Sequence, residues 1–207
     1  IARHQFPEGH WSLHEFLPKR RTKERIRNCE RNCTGTGTVH SDTAATGIAL
    51  LALLGAGYTN SLERDRARAL PAAKLRSESV KSGLDWLVQH QKKDGNLFSS
   101  GDGQAHMYSH GIATIALCEA YALTGDATLR EPAEKAVEYI TEAQNTDGGW
   151  RYSPRSGTSD TSVVGWQVMA LQSARMTGLS VDQQVFSRVS QFLDSVSDGE
   201  GKFGYIV

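Results

Sequence analysis

Two kinds of helical pattern alternate along the chain. Apolar positions Val80, Leu84, Leu87 and Val88, then Ala133, Ala136, Val137 and Ile140, then Val185, Val189, Phe192, Leu193 and Val196 recur at i, i+3, i+4 and i+7. That spacing puts one apolar face on each helix. Between them run "TAATGIALLALLGAG" from Thr43, "SHGIATIALCEAYAL" from Ser109 and "TSVVGWQVMALQSA" from Thr161, which are apolar or small on nearly every side. Such segments are expected of helices packed all round. No stretch alternates strictly as a half-buried strand does. The pattern predicts an all-α protein, with buried inner helices ringed by one-sided outer ones.

The alternation is periodic. Gln91 and Gln144 are 53 residues apart, as are Asp94, Asp147 and Glu200, Gly95, Gly148 and Gly201, and Leu97, Trp150 and Phe203. The helix before each turn keeps the same spacing through Trp86, Tyr139 and Phe192 and through Leu87, Ile140 and Leu193. An earlier copy, Gln5, Glu8, Gly9 and Trp11, lies 86 residues before the second and so carries 33 extra residues. The count is about three and a half repeats. Each repeated glycine falls where a left-handed residue ends a helix, and the aromatic two positions on folds back over the helix end. The glutamine lies one helical turn beyond Leu87 or Ile140, where its amide can satisfy backbone groups of a neighbour. Gly47, Gly111 and Gly165 align within the buried runs, where a small residue lets helices approach closely.

Composition adds little. With 23 basic and 23 acidic residues in 207 the formal net charge is zero, which describes an ordinary globular protein and argues against a nucleic-acid binder. The apolar run Ala44 to Gly57 is too short to span a bilayer, and no signal or transit peptide pattern opens the chain. The chain opens inside a repeat, so the expectation is one repeat domain over 1–207, part of a longer protein, with a polar and basic insertion at 12–41. Seven basic and two acidic residues lie between Lys19 and Arg31. They read as a solvated face, with contact to an anionic partner or membrane surface as the alternative. Cys118, in an apolar helical run, reads as a core residue. Cys29 and Cys33, with His40 and His10 or His14 nearby, carry a weak metal signal; a disulfide and free thiols stay equally open.

The phrase of Gln, short spacer and Gly-x-Trp, after a helix with a paired aromatic and aliphatic residue, resembles the QW repeat of squalene and hopene cyclases. Their α/α toroid is shared with protein prenyltransferase β subunits and complement-type thioester domains. "HGIATIALCEAYALTGD" and "DTSVVGWQVMALQSARMTGL" are most similar to bacterial prenyltransferase/squalene-oxidase repeat proteins. The resemblance covers residues 42 to 57 and 74 to 207 and the phrase at Gln5. It implies an incomplete α/α toroid here, since relatives close a ring of about six helix pairs. The open edges then invite self-association.

Function is less determined than fold. The resemblance implies an Asp-x-Asp-Asp acid in protonating cyclases, Asp-Asp-x-x-Asp in diphosphate-ionising synthases, a zinc-binding Asp-x-Cys in prenyltransferases and Cys-Gly-Glu-Gln in thioester domains. None occurs; Asp160 is followed by Ser162 where the zinc pair has its sulfur. No cofactor is implied.

Asp42, His106 and Asp160 each stand five residues before an aligned inner-helix glycine. Helix N-capping is the first reading of the two aspartates, and a ligand role at the ring mouth the second. Tyr108, His110, Tyr152, Trp166, Gln167 and Tyr205 join His106 as candidates for a central cavity, though each taken singly reads as a buried polar group with its hydrogen bond satisfied. The expectation is a domain without catalytic acids that binds an apolar molecule, a peptide or a glycan. Two alternatives stand: an enzyme with catalytic residues in repeats outside this chain, and a scaffold with a filled ring.

Overall fold

The computed structural model describes residues 1–14, 37–61 and 71–206. The described residues form six α-helices: α1 (Asp42–Gly55), α2 (Pro71–His90), α3 (His106–Thr124), α4 (Ala127–Glu142), α5 (Thr161–Met176) and α6 (Gln183–Val196). Short 3-10 turns occupy Ala2–His4 and Ser100–Ala105. No strand is present among the described residues, only an isolated bridge between Ser197 and Phe203. The protein is all-helical, as its pattern predicts. None of the described helices is long and apolar enough to cross a membrane.

The helices form two layers. α1 packs on α3 and α3 on α5, with α2 against α1, α4 against α3 and α5, and α6 against α5. α3 is the most deeply enclosed, and its Ala113, Ala116, Leu117, Cys118 and Ala120 are all fully buried. Burial pushes the Cys118 thiol up to about 12, so it stays protonated and serves as a core residue. Two of the aligned glycines explain the close inner packing. A Cβ at Gly47 would lie 2.8 Å from Ile112 Cγ2, and one at Gly111 would lie 2.8 Å from Gln167 Nε2. At Gly165 nothing stands within 4 Å.

The repeated turns lock each outer helix in place. Gln5 Nε2 donates to Gly9 O (2.7 Å) and Ser79 O (2.8 Å). Gln91 Nε2 donates to Gly95 O (3.1 Å) and Pro132 O (2.9 Å), and Gln144 Nε2 to Gly148 O (2.8 Å) and Val185 O (3.1 Å). One amide thus closes its own turn and grips a carbonyl on α2, α4 or α6. Gly9, Gly95 and Gly148 have φ of +105°, +86° and +96°. A Cβ there would fall 2.3 Å from Ser82 O, 2.1 Å from Lys135 O and 2.2 Å from Arg188 O, so both backbone conformation and space exclude a side chain. Trp11 and Trp150 fold back as expected, their indole N–H groups donating to Ile1 O (2.9 Å) and Ile140 O (2.8 Å).

The fourth turn has the same backbone, but among the described residues no helix packs against its glycine. Asp198 N–H donates to Lys202 O at 3.1 Å, as Lys92 does to Asn96 and Asn145 to Gly149, both at 2.9 Å. Gly201 has φ +92°, yet nothing stands within 4 Å of where its Cβ would be. Phe203 is correspondingly 53% exposed.

Candidate functional site

The inner helices run parallel, so their N-termini share one rim. Ser41 and Ser109 hydroxyls meet at 2.7 Å between α1 and α3, and Tyr108 and Ser162 hydroxyls at 2.5 Å between α3 and α5. Two groups of side chains sit along this rim.

The first surrounds the start of α1. Two clefts, of about 380 and 830 Å³, share His10 and Asp42 in their walls. The larger is lined by Trp86 and His90 from the end of α2 and by Leu97, Phe98 and Ser99 from the following turn. The smaller adds Phe6, His14, His40, Ser41 and Asp102. His10 directly follows Gly9, so the first clasp fixes its position. Its ring stacks on Phe6 (centroids 4.5 Å) and tilts against Trp86 (5.1 Å), which stacks on His90 (4.2 Å). The result is a column of four rings along the cleft. His10 Nε2 lies 3.7 Å from Asp42 Oδ2. Phe98 stacks on His106 at 4.3 Å and carries Lys92 Nζ 5.2 Å above its ring. The cleft wall combines Trp86, Leu97 and Phe98 with the polar side chains of Glu8, Gln89 and Lys92, and the imidazole–carboxylate pair lies in the same wall, with His10 beside Trp86. Such a surface can hold an apolar body and orient one polar end.

Asp42 is not the cap of α1. Ser41 caps it, its hydroxyl accepting from Ala44 N–H at 3.0 Å, and Asp42 is the first helical residue. Its carboxylate therefore faces the cleft at the positive end of the helix dipole instead of being spent on backbone.

The second group surrounds the start of α5, where Asp160 does cap: Oδ1 accepts from Val163 N–H (2.8 Å) and Ser162 Oγ (2.6 Å). Asp160 is fully buried, and its Oδ2 has no hydrogen-bond partner among the described residues. Tyr108 reaches Ser162, and the Tyr152 and Tyr205 hydroxyls bond each other. The rings of Tyr108 and Tyr152 lie 6.0 Å apart. Burial raises the Tyr108 phenol, with the Asp160 charge adding. The bond to Tyr152 pushes the Tyr205 phenol up to about 12, again with Asp160 adding. These phenols stay protonated at neutral pH and act as hydrogen-bond donors.

The sequence candidates therefore divide. Asp42 lines the clefts, and His106 stands beside them on Phe98, its Nε2 without a hydrogen-bond partner among the described residues. Tyr108, Tyr152 and Asp160 belong to the second group, and Trp166 packs partly buried against the core. His110 and Gln167 are fully buried and do not line either cleft. His110 Nδ1 accepts from Leu97 N–H (3.2 Å) and Nε2 donates to Ala136 O (2.9 Å), so the neutral ring ties the second turn, α3 and α4 together. Burial lowers its pKa from 6.5 to about 4, which keeps it neutral. Gln167 donates to Met107 O at 2.8 Å and fills the space over Gly111. Both are structural for one reason: they face the neighbouring inner or outer helix and not the rim.

Cys29, Cys33 and the basic run Lys19 to Arg31 lie outside the described residues. Among the described residues no group of three or more His, Cys, Asp or Glu is placed to hold a metal ion, and the rings of His14 and His40 stack on each other at 3.7 Å. Sequence reasoning missed Trp86, Phe98 and the pairing of His10 with Asp42. Trp86 was legible only as a periodic helix residue, and His10 only as the residue after a turn glycine; nothing local announces that a turn and a helix start meet.

The squalene-hopene cyclase C-terminal domain family matches residues 69–204, about two thirds of the chain. Lanosterol synthase of Candida albicans (strain SC5314 / ATCC MYA-2876) is 29% identical over 91 residues, which cover 42% of this chain and 12% of that protein. No solved structure matches the chain significantly. The family's match runs through α2 to α6 and their turns and leaves out His10 and Asp42, and the chain belongs to the squalene-hopene cyclase C-terminal domain family.

Proposed function

We propose that this terpenoid-cyclase-like domain binds an apolar, polyisoprenoid-type molecule in the rim cleft, with the polar end of the ligand at His10 and Asp42. The observation that carries the reading is the cleft of about 830 Å³ walled by Trp86, Leu97 and Phe98, with the His10–Asp42 pair set into it. Its size lies within the range of small-molecule sites, about 300–1,000 Å³. Kinship with cyclases of apolar polyenes supports the ligand class. In this reading residues 1–207 are one repeat domain, an arc of an α/α toroid built on a 53-residue unit, with 12–41 inserted after the first clasp. The matching geometry of the Gln5, Gln91 and Gln144 clasps supports that unit.

The chain is titrated with a polyprenyl alcohol while thermal stability is followed. Saturable stabilisation is expected, weakened about tenfold by Phe98→Ala, a loss of about 1.4 kcal/mol. Stabilisation unaffected by Phe98→Ala and by Asp42→Asn, or none at all, sinks the reading.

The name of the family favours a second reading, an enzyme whose catalytic acids lie in repeats outside this chain. Turnover of a polyprenyl substrate by a longer form of the protein that carries such acids would establish it over binding alone.

A further inference from the structure

The two clefts meet at His10, Asp42 and Ser99, and their walls differ in kind. Trp86, Leu97 and Phe98 give the larger one its apolar surface, whereas beyond the pair the smaller one is walled by Ser12, His14, His40, Ser41 and Asp102. An apolar ligand lying in the larger cleft therefore brings its end to the pair. His10 Nε2 and Asp42 Oδ2 are 3.7 Å apart, farther than the ~3.2 Å of a good N–H···O bond. The carboxylate favours the imidazole forms that carry a proton on Nε2, so one atom of the pair donates and the other accepts. A group that fits between them must accept from His10 Nε2 and donate to Asp42 Oδ2. A hydroxyl does both, whereas an ether or a phosphate dianion only accepts and an ammonium only donates.

Resting on the binding proposed above for this cleft, we infer that its ligand is an alcohol whose hydroxyl bridges His10 and Asp42, and that a phosphorylated end is refused. Fixed charge points the same way. The smaller cleft has the carboxylates of Asp42 and Asp102 and no lysine or arginine, and in the larger one Lys92 is matched by Glu8. A phosphate at the pair would meet like charge with no fixed cation beside it. Asp102 accepts from Ser99 N–H (3.2 Å) and Ser99 Oγ (2.8 Å), while the Asp42 side chain is 47% exposed, so Asp42 is the carboxylate that a ligand reaches.

Four matched probes test this through the rise in thermal stability on binding: a polyprenyl alcohol, its methyl ether, its monophosphate and the hydrocarbon of equal length. The alcohol is expected to act at about tenfold lower concentration than the ether or the hydrocarbon, the weight of one hydrogen bond to a charged group. The monophosphate is expected to be weaker than the alcohol as well. Asp42→Ala is expected to erase the advantage over the ether, and Asp42→Asn to strengthen binding of the monophosphate; circular dichroism checks that each variant folds. Equal action of alcohol and ether, or a monophosphate that matches the alcohol, overturns the inference and leaves the cleft standing if Phe98→Ala still weakens the probes that bind. An advantage over the ether that survives Asp42→Ala also overturns it, because another group then takes the hydroxyl proton. No response to any probe, or none sensitive to Phe98→Ala, removes the cleft and the inference with it.

Discussion

The turns at Gly148 and Gly201 share a backbone and differ in everything around it. Each has a glycine near φ +95° and an acidic residue shortly before that glycine. Gly148 presses on Arg188 O, Gln144 grips Val185 O, and Trp150 is fully buried. At Gly201 there is no glutamine, no carbonyl and an exposed Phe203. The turn itself is therefore a local structure, set by glycine and hydrogen bonds within a few residues. Its clasping role is non-local and requires an outer helix to close upon.

The comparison breaks most sharply at the aromatic position. Trp150→Ala removes a fully buried ring and a hydrogen bond and is expected to cost about 3–5 kcal/mol in urea unfolding. Phe203→Ala is expected to cost less than about 1 kcal/mol. Equal losses would mean that the fourth turn is as tightly held as the third.

The glycines come next. Gly148→Ala combines left-handed strain of about 1 kcal/mol with overpacking of about 1–3 kcal/mol against Arg188 O, so about 3 kcal/mol is expected. Gly201→Ala carries only the strain, about 1 kcal/mol. Matched denaturation curves for the pair measure the difference.

His110 sharpens the comparison between steps of the structure, because it holds the second turn where Val164 stands at the third. Its folded pKa of about 4 lies below the unfolded 6.5, so between these values the unfolded chain binds a proton that the folded chain refuses. Stability is full above pH 6.5 and falls as pH drops towards 4, by up to about 3 kcal/mol. The urea midpoint at pH 7 and pH 4.5, compared with that of His110→Gln, reads this. A variant with an unchanged slope would remove His110 as the cause.

The glutamines give the smallest effect. Gln144→Ala breaks bonds to Gly148 O, Val185 O and Arg188 Nε and is expected to cost about 2 kcal/mol. Ser197→Ala at the corresponding place is expected to change stability by less than about 0.5 kcal/mol.

The helices, their two classes and the clasping turns were legible in the sequence because each rests on periodicity or on glycine. Gln91 and Gln144 could be assigned to neighbouring backbone from spacing alone, and the structure places them there. The rim was legible only in part. Asp42 and Asp160 look alike in sequence, each before a threonine and an apolar run, yet Asp160 caps while Asp42 is displaced into the cleft because Ser41 takes the cap. His110 looked like a rim residue from its neighbours His106 and Tyr108, but helical rotation turns it to α4, where Ala136 O accepts its hydrogen bond. The cleft joins residue 10 to residues 42, 86 and 98, a meeting set by packing that no local pattern encodes.

The claim that this cleft is the binding site is tested most directly by photocrosslinking with a polyprenyl alcohol that carries a diazirine, followed by peptide mapping. The account predicts saturable labelling centred on Trp86, Leu97 and Phe98, reduced by Asp42→Asn and competed by unlabelled polyprenol. Labelling centred on Tyr108, Tyr152 and Tyr205, or spread over the exposed edges at Ile48 and Met169 without saturation, would contradict it.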